Sequence, residues 1–447
     1  MLNIITKNPE HEPLVSADVM MTSHKEFFGN AAIATRTKNW QNYTGVNFTT
    51  MNEYEDANND GFGDRIGMDR LSFFSKWSME RPDHKKLTIA AKLYVEDRRN
   101  GVESFVKNRA YRDLRGSESI YGESIYTLRS EVFGTYEFQS SANVRLDYSL
   151  SWHEQDSYYG SDHYQAEQGI AFTNLIWTKR KGKHTLLGGL TNRFQYYDDN
   201  TIATDEEVNN GADRQYIPGI FLEDEWSLFS SLNLLAGMRL DHYHNHGFIP
   251  SPRLSVKKDL GEWTTWRLNS GTGFKIVNLF TEDHAFVSGQ RSVEIKEVID
   301  PERSWNVSTN LNHTHALFGS SGAIDADVYY THFTNKITPD YSDPTKIIYA
   351  NSDGFAKSYG LSFSFSQQFS FPLSYNLGVN LNRTELAEEN EQGEVSLRPI
   401  EFAPEWSGVV SVNYRLRKWK LDFSYSASIN GPMALPEVYD LNENGLP

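Results

Sequence analysis

The chain has 447 residues, a formal net charge of −16 and no cysteine. That length holds several average domains or one large all-β domain; the acidic balance argues against a nucleic-acid surface, which needs a basic stripe, and zero cysteine excludes a disulfide framework. No stretch approaches the roughly 18 apolar residues of a membrane helix, which leaves a membrane barrel open, since a barrel strand needs only about 9 to 11 residues.

The N-terminus, MLNIITKNPEHEP, has no charged segment followed by an apolar one and carries no secretory signal. Val19, Met21 and Ser23 open the first candidate strand, Ala32, Ala34 and Arg36 lie in a second, and Tyr43, Gly45, Asn47 and Thr49 interleave with Thr44, Val46 and Phe48 in a third. Asp56 to Asp69 reads as a polar loop, strands follow near Arg70 to Glu80 and Leu87 to Val95, and Glu96 to Ser124 reads as a long polar connection. Beyond it, Val144, Leu146, Tyr148, Leu150 and Trp152 alternate with Asn143, Arg145, Asp147, Ser149 and Ser151, the period of a strand with one apolar and one polar face. Three later strands repeat the pattern around Arg239, Arg253 and Arg267, which alternation places on one shared face. A buried apolar core could not hold three such groups unpaired, so that face is wet. The apolar face must then meet a second sheet or lipid. Tyr359 to Phe365, Tyr375 to Leu381 and Leu421 to Ala427 keep the register to the end.

About nineteen strands are expected in all, many longer than the roughly 5 or 6 residues usual in soluble sheets. Short connections alternate with long ones such as Gln195 to Tyr216, Lys275 to Glu302, Asn335 to Phe355 and Glu385 to Phe402. Short turns at one end and long loops at the other describe an antiparallel transmembrane β-barrel with short periplasmic turns and long extracellular loops. Tyr and Trp, 24 and 10 in number, suit the aromatic bands at its interfaces. A soluble repeat-built β protein is the alternative.

Particular segments carry a family resemblance. AGMRLDHYHNHGFIPSPRLSV resembles the central barrel motif of TonB-dependent outer-membrane receptors, and GTGFKIVNLFTED the loop entry that follows it, with Lys275 for the usual Arg and Val277 for the usual Ala. IDPERSWNVSTNL and ADVYYTHFTNKI resemble the next two strands of that family, while IPGIFLEDEW and YGESIYTLRSEVFGTYEF resemble its Bacteroidetes branch. The resemblance implies a barrel of 22 strands, about nineteen of them present, in the outer membrane of a Gram-negative bacterium. It also implies that LNIITK, Leu2 to Lys7, is the last strand of the plug domain, so that residues 1–8 are a plug remnant and residues 9–447 an incomplete barrel. The implied function is active import of a scarce chelate, an iron–siderophore first and cobalamin second, driven by the TonB–ExbB–ExbD energy-coupling system through the missing plug segment. A plug-less porin-like channel and a soluble β-rich binding protein are the rival readings.

Asp56, Asn58, Asp60 and Asp64 match the first half of a calcium loop, although Gly67 stands where a bidentate Glu would close it. A calcium ion in an extracellular loop, with Asp198 and Asp199 completing its shell, is one reading; a solvated Asx turn is the simpler one. His242, His244 and His246 would share one side of an extended strand, a metal or haem reading, unless they only decorate a strand end. Arg239, Asp241, Arg253 and Arg267 read as lumen-lining charges that face the plug. The acidic run Glu388, Glu389, Glu391 and Glu394 reads as a solvated loop. No nucleophile and base pairing marks an enzyme, and no resident cofactor is expected beyond the calcium ion.

Overall fold

The computed structural model describes residues 6–7, 9–201, 204–205, 211–276, 292–296, 299–317, 319–337, 346–351, 354–389, 395–400 and 402–434. Leu2 to Ile5 of the expected plug strand lie outside these residues, as do most of the loop after Lys275 and Glu391 and Glu394. The strands are β1 Val15–Met21, β2 Phe27–Arg36, β3 Trp40–Met51, β4 Gly67–Arg81, β5 Lys85–Gly101, β6 Gly122–Glu137, β7 Val144–Tyr159, β8 Asp162–Lys181, β9 His184–Asp199, β10 Asp213–Phe229, β11 Leu232–Tyr243, β12 Gly247–Asp259 and β13 Thr264–Lys275. After them come β14 Ser292–Ile295, β15 Glu302–Leu317, β16 Ser320–Asn335, β17 Lys346–Tyr349, β18 Phe355–Gln368, β19 Leu373–Glu389, β20 Val395–Pro399, β21 Trp406–Leu416 and β22 Leu421–Asn430.

Twenty of these form one sheet, and β14 and β17 form a separate parallel pair between loops. The large sheet is an antiparallel meander in which each strand, β20 apart, pairs with the next member of that sheet in sequence. β20 and β21 lie end to end along the same side of β19, against Glu385–Glu389 and Leu373–Leu381. Counted as one broken stave, they bring the twenty strands to nineteen. Among the described residues β1 pairs only with β2, and β22 only with β21. A meander of this kind satisfies its backbone groups in the cross-strand ladder, without help from solvent.

The two faces differ in both chemistry and crowding. Leu150 and Leu222 are 57% and 59% exposed, whereas Glu96 and Asp241, on the opposite face, are 4% and 0% exposed. Side chains converge on the concave side of a curved sheet and splay on the convex side, so charge lines the inside of the barrel and apolar residues its outside. This is the alternation of a membrane barrel.

Several strands outrun the sequence expectation. The 20 residues of β8 span roughly 66 Å at about 3.3 Å per residue, more than a tilted crossing of a hydrocarbon core of about 30 Å requires. β5 continues through Glu96–Gly101, which had read as loop, and residues 102–121 then form two short helices, α1 Glu103–Val106 and α2 Tyr111–Leu114. This segment folds back over the outer face at the long-loop end. There Phe105, Val106 and Tyr111 are buried, Arg99 and Arg109 reach Asp69, and Tyr111 donates to Asp97 at 2.6 Å. The close seat depends on Gly122, where a Cβ would lie 2.1 Å from Phe105 Cδ1.

Placing a guanidinium on the convex face must therefore cost more than placing it inside. Leu150→Arg is expected to lower the free energy of unfolding in lipid vesicles by about 2–4 kcal/mol, and Ser149→Arg, one residue away on the inner face, by clearly less; denaturant titration followed by tryptophan fluorescence measures both.

Candidate ligand-facing site

Buried charge on the inner wall gathers toward the long-loop end. In β11, Asp241 is fully buried and accepts two hydrogen bonds of 2.7 Å from Arg239, which also donates to Thr191 Oγ1 at 3.1 Å. Room for the carboxylate comes from Gly219 opposite it, where a Cβ would lie 2.3 Å from Asp241 Oδ1. Arg253 of β12 pairs with Glu223 of β10 across Gly237. Arg267 of β13 donates to Asn310 Oδ1 at 3.0 Å, and Asn310 donates in turn to Asp325 and Asp327 at 2.9 and 3.0 Å.

The strand registers set the depth of the three arginines. Arg239 faces Ser251, Arg253 faces Gly237, and Arg267 faces Lys257. Arg239 thus lies nearest the long loops, Arg253 deeper and Arg267 close to the short turns. All three share the inner face with Asp241, and each has a polar partner.

A second network escaped the sequence reading because it lies where a loop had been expected. Glu96 accepts from Arg70 at 2.7 Å, from Arg98 at 2.8 Å and from Tyr94 at 2.6 Å, all on the inner face. A third sits at the mouth over β8–β10. Tyr164 and Tyr197 share a hydrogen bond of 2.8 Å, Tyr197 donates to Asp199 at 2.8 Å, and Thr201 and Thr204 cap the same carboxylate.

The loop with Asp56, Asn58, Asp60 and Asp64 is an Asx-turn loop. Asp56 accepts from the Gly61 amide at 3.0 Å, Asn58 from Asp60 at 3.0 Å, Asp60 from Phe62 at 2.8 Å and Asp64 from Ala57 at 2.6 Å. These oxygens close backbone turns, while the second Asp56 oxygen, Oδ1, is buried without a hydrogen-bond partner. Asp198 and Asp199 belong to strand β9, so their side chains diverge: Asp198 accepts from Tyr196 on the outer face, Asp199 from Tyr197 on the inner. They cannot jointly complete an ion shell. The three histidines do not line up either, because β11 ends at Tyr243 and the chain turns at 244–246. His242 lies against Phe248, while His246 faces Asp300 at 3.4 Å. Burial holds the His246 imidazole below its ordinary value, with Asp300 pulling the other way, and burial followed by the bond to Asp97 pushes the Tyr111 hydroxyl up. Among the described residues no group of three or more His, Cys, Asp or Glu is arranged to hold a metal ion.

Comparison with known proteins bears on this geometry. A family profile described as "TonB dependent receptor-like, beta-barrel" matches residues 22–442. Two Vibrio cholerae proteins named iron-regulated outer membrane virulence protein are each 25% identical over 293 residues, which cover 65% of this chain and 42% of theirs. The chain therefore spans less than half the length of these relatives. Among solved structures, the FrpB iron transporter from Neisseria meningitidis superposes with a TM-score of 0.69 at 13% identity, covering 93% of this chain and 68% of that one. The siderophore receptor PirA from Pseudomonas aeruginosa gives 0.65 at 13%, covering 93% and 71%. The Serratia marcescens hemophore receptor HasR, in complex with its hemophore and heme, gives 0.70 at 12%, covering 93% and 72%.

The Asp241 carboxylate is fully buried while its partner Arg239 is half-exposed, so the loss on removing the guanidinium is set by the carboxylate left behind and softened by water. Arg239→Met, which strands the Asp241 carboxylate, is expected to cost about 1–2 kcal/mol, less than the roughly 3 of a fully buried pair, with most of the loss recovered in the Arg239→Met, Asp241→Leu double variant; thermal or denaturant unfolding of the three proteins checks this.

Proposed function

The chain belongs to the TonB-dependent receptor β-barrel family, and from that premise we propose that it forms the wall of a receptor importing a ferric siderophore, energised through TonB–ExbB–ExbD. Its place is the outer membrane of a Gram-negative bacterium, and the family is not one of enzymes. The observation that carries the proposal is the inner wall, charged and hydrogen-bonding, enclosed by an apolar outer face. Such a lumen suits a polar solute or a gating plug and does not suit a lipid cargo. The relatives' names point to iron: one pair is iron-regulated, and the structural neighbours include an iron transporter and a siderophore receptor.

The edges of β1 and β22 support a further part of the reading. Backbone groups without partners are costly in hydrocarbon, and the relatives and structural neighbours are longer than this chain; both support reading the wall as one that further strands and a plug complete. The resemblance of IPGIFLEDEW and YGESIYTLRSEVFGTYEF to the Bacteroidetes branch supports assigning that receptor to it.

Uptake by iron-limited cells tests the proposal. Radioactive iron supplied as ferric enterobactin or as a hydroxamate chelate is expected to enter in a receptor-dependent, saturable way and to stop when a protonophore collapses the proton-motive force. Uptake of cyanocobalamin but of neither chelate, or iron entry indifferent to the protonophore, would contradict it.

A further inference from the structure

The inner wall is not uniform around the barrel. On β4–β7 it carries charges in close array: Arg70, Lys92, Glu96, Glu131, Arg145 and Asp147 all point inward, and several pair with one another, as Arg70 does with Glu96 and Lys92 with Glu131. On β18, β19, β21 and β22 the same face is built mainly from hydroxyls and amides, with Gly360, Gly378 and Val409 among them. Between Ser358 and Ser366, Ser374 and Thr384, Ser407 and Asn413, and Ser424 and Asn430, no described inward side chain is charged. Lys357, Arg383 and Glu385 share the outward face with Leu361 and Leu381, while Arg415 and Asp422 pair with each other at the turn end.

The neutral groups bond mainly among themselves. Ser362 donates to Asn380 at 2.8 Å, Ser358 and Thr384 lie 3.0 Å apart, Asn376 donates to Ser411 at 3.3 Å, and Tyr329 of β16 donates to Asn382 at 2.7 Å. Neutral hydrogen bonds are roughly half as strong as charge-assisted ones and exchange readily with water. A wall of them wets and lets a polar solute step from group to group, and conduction needs sites that bind weakly and many times. A wall of guanidiniums and carboxylates grips whatever polar segment lies against it.

We propose that the lumen is functionally two-sided: the serine–asparagine wall of β18, β19, β21 and β22, below the inward Arg398 of β20, is the hydrated side along which the imported polar solute moves, and the charged wall of β4–β7 is the side against which the gating segment is held. The inference rests on the receptor reading, but its test needs no transported ligand.

Because the chain has no cysteine, single cysteines report accessibility cleanly. Ser362→Cys and Asn380→Cys on the neutral wall are compared with Ser149→Cys and Ser151→Cys on the charged side, in the full receptor in intact cells, using a membrane-impermeant polyethylene glycol maleimide of about 2 kDa. Labelling after urea denaturation sets each cysteine's intrinsic reactivity. Once normalised, the neutral-wall cysteines are expected to label at least tenfold faster than the charged-wall pair. Equal rates, or faster labelling of the charged wall, would overturn the proposal while leaving the iron-uptake result untouched.

Discussion

Hydrocarbon offers no hydrogen bonds, and that constraint shapes most of this molecule. Every peptide group that crosses a membrane in an extended strand must find its partner in a neighbouring strand, and the meander of β1 to β22 supplies those partners almost entirely from the next strand in sequence. The side chains are then free to divide by solvent. Leu150 and Leu222 can face lipid because no backbone group beside them is left wanting, and Asp241 can be fully buried on the other side because Arg239 and the space over Gly219 receive it.

Function follows from the same division. An apolar core would have filled the interior and closed it; a wall of paired charges and amides keeps it open to a polar occupant. The charges are not scattered. The buried ones, in the Glu96, Asp241 and Tyr197–Asp199 networks, lie near the long-loop end, and charge thins on β18, β19, β21 and β22. The outer segment 102–121 extends the wall above the membrane, and there the outer face also turns polar, with Asp69 and Asp97 received by arginines of the same chain.

The sequence disclosed the barrel because alternation is a strong signal wherever one face is greasy. It disclosed the number of staves for the same reason, and the rule that neighbours in sequence pair in space turned that list into a sheet. Where strands rise beyond the hydrocarbon, both faces become polar and the contrast vanishes. Glu96 and Arg98 point in while Asp97 and Arg99 point out, yet EDRRNG reads as loop. Tyr197 and Asp199 point in while Tyr196 and Asp198 point out, so in the sequence this strand reads as a turn that gathers two carboxylates on one ion. The shared face of Arg239, Arg253 and Arg267 was readable from period two, but their descent through the barrel depends on cross-strand register, which hairpin geometry and packing set together. The serine–asparagine wall is likewise visible only once β18 is laid beside β19.

Lipid outside and water inside is the claim on which the account stands, and spin labels placed one at a time along β7, from Val144 to Tyr159, test it most directly. In lipid vesicles the accessibility to dissolved oxygen and to a water-soluble nickel chelate should alternate with period two, oxygen leading at Leu146, Tyr148, Leu150 and Trp152 and nickel at Arg145, Asp147, Ser149 and Ser151. A profile with no alternation, or with Leu150 and Trp152 shielded from both reagents as in a packed protein core, would contradict it.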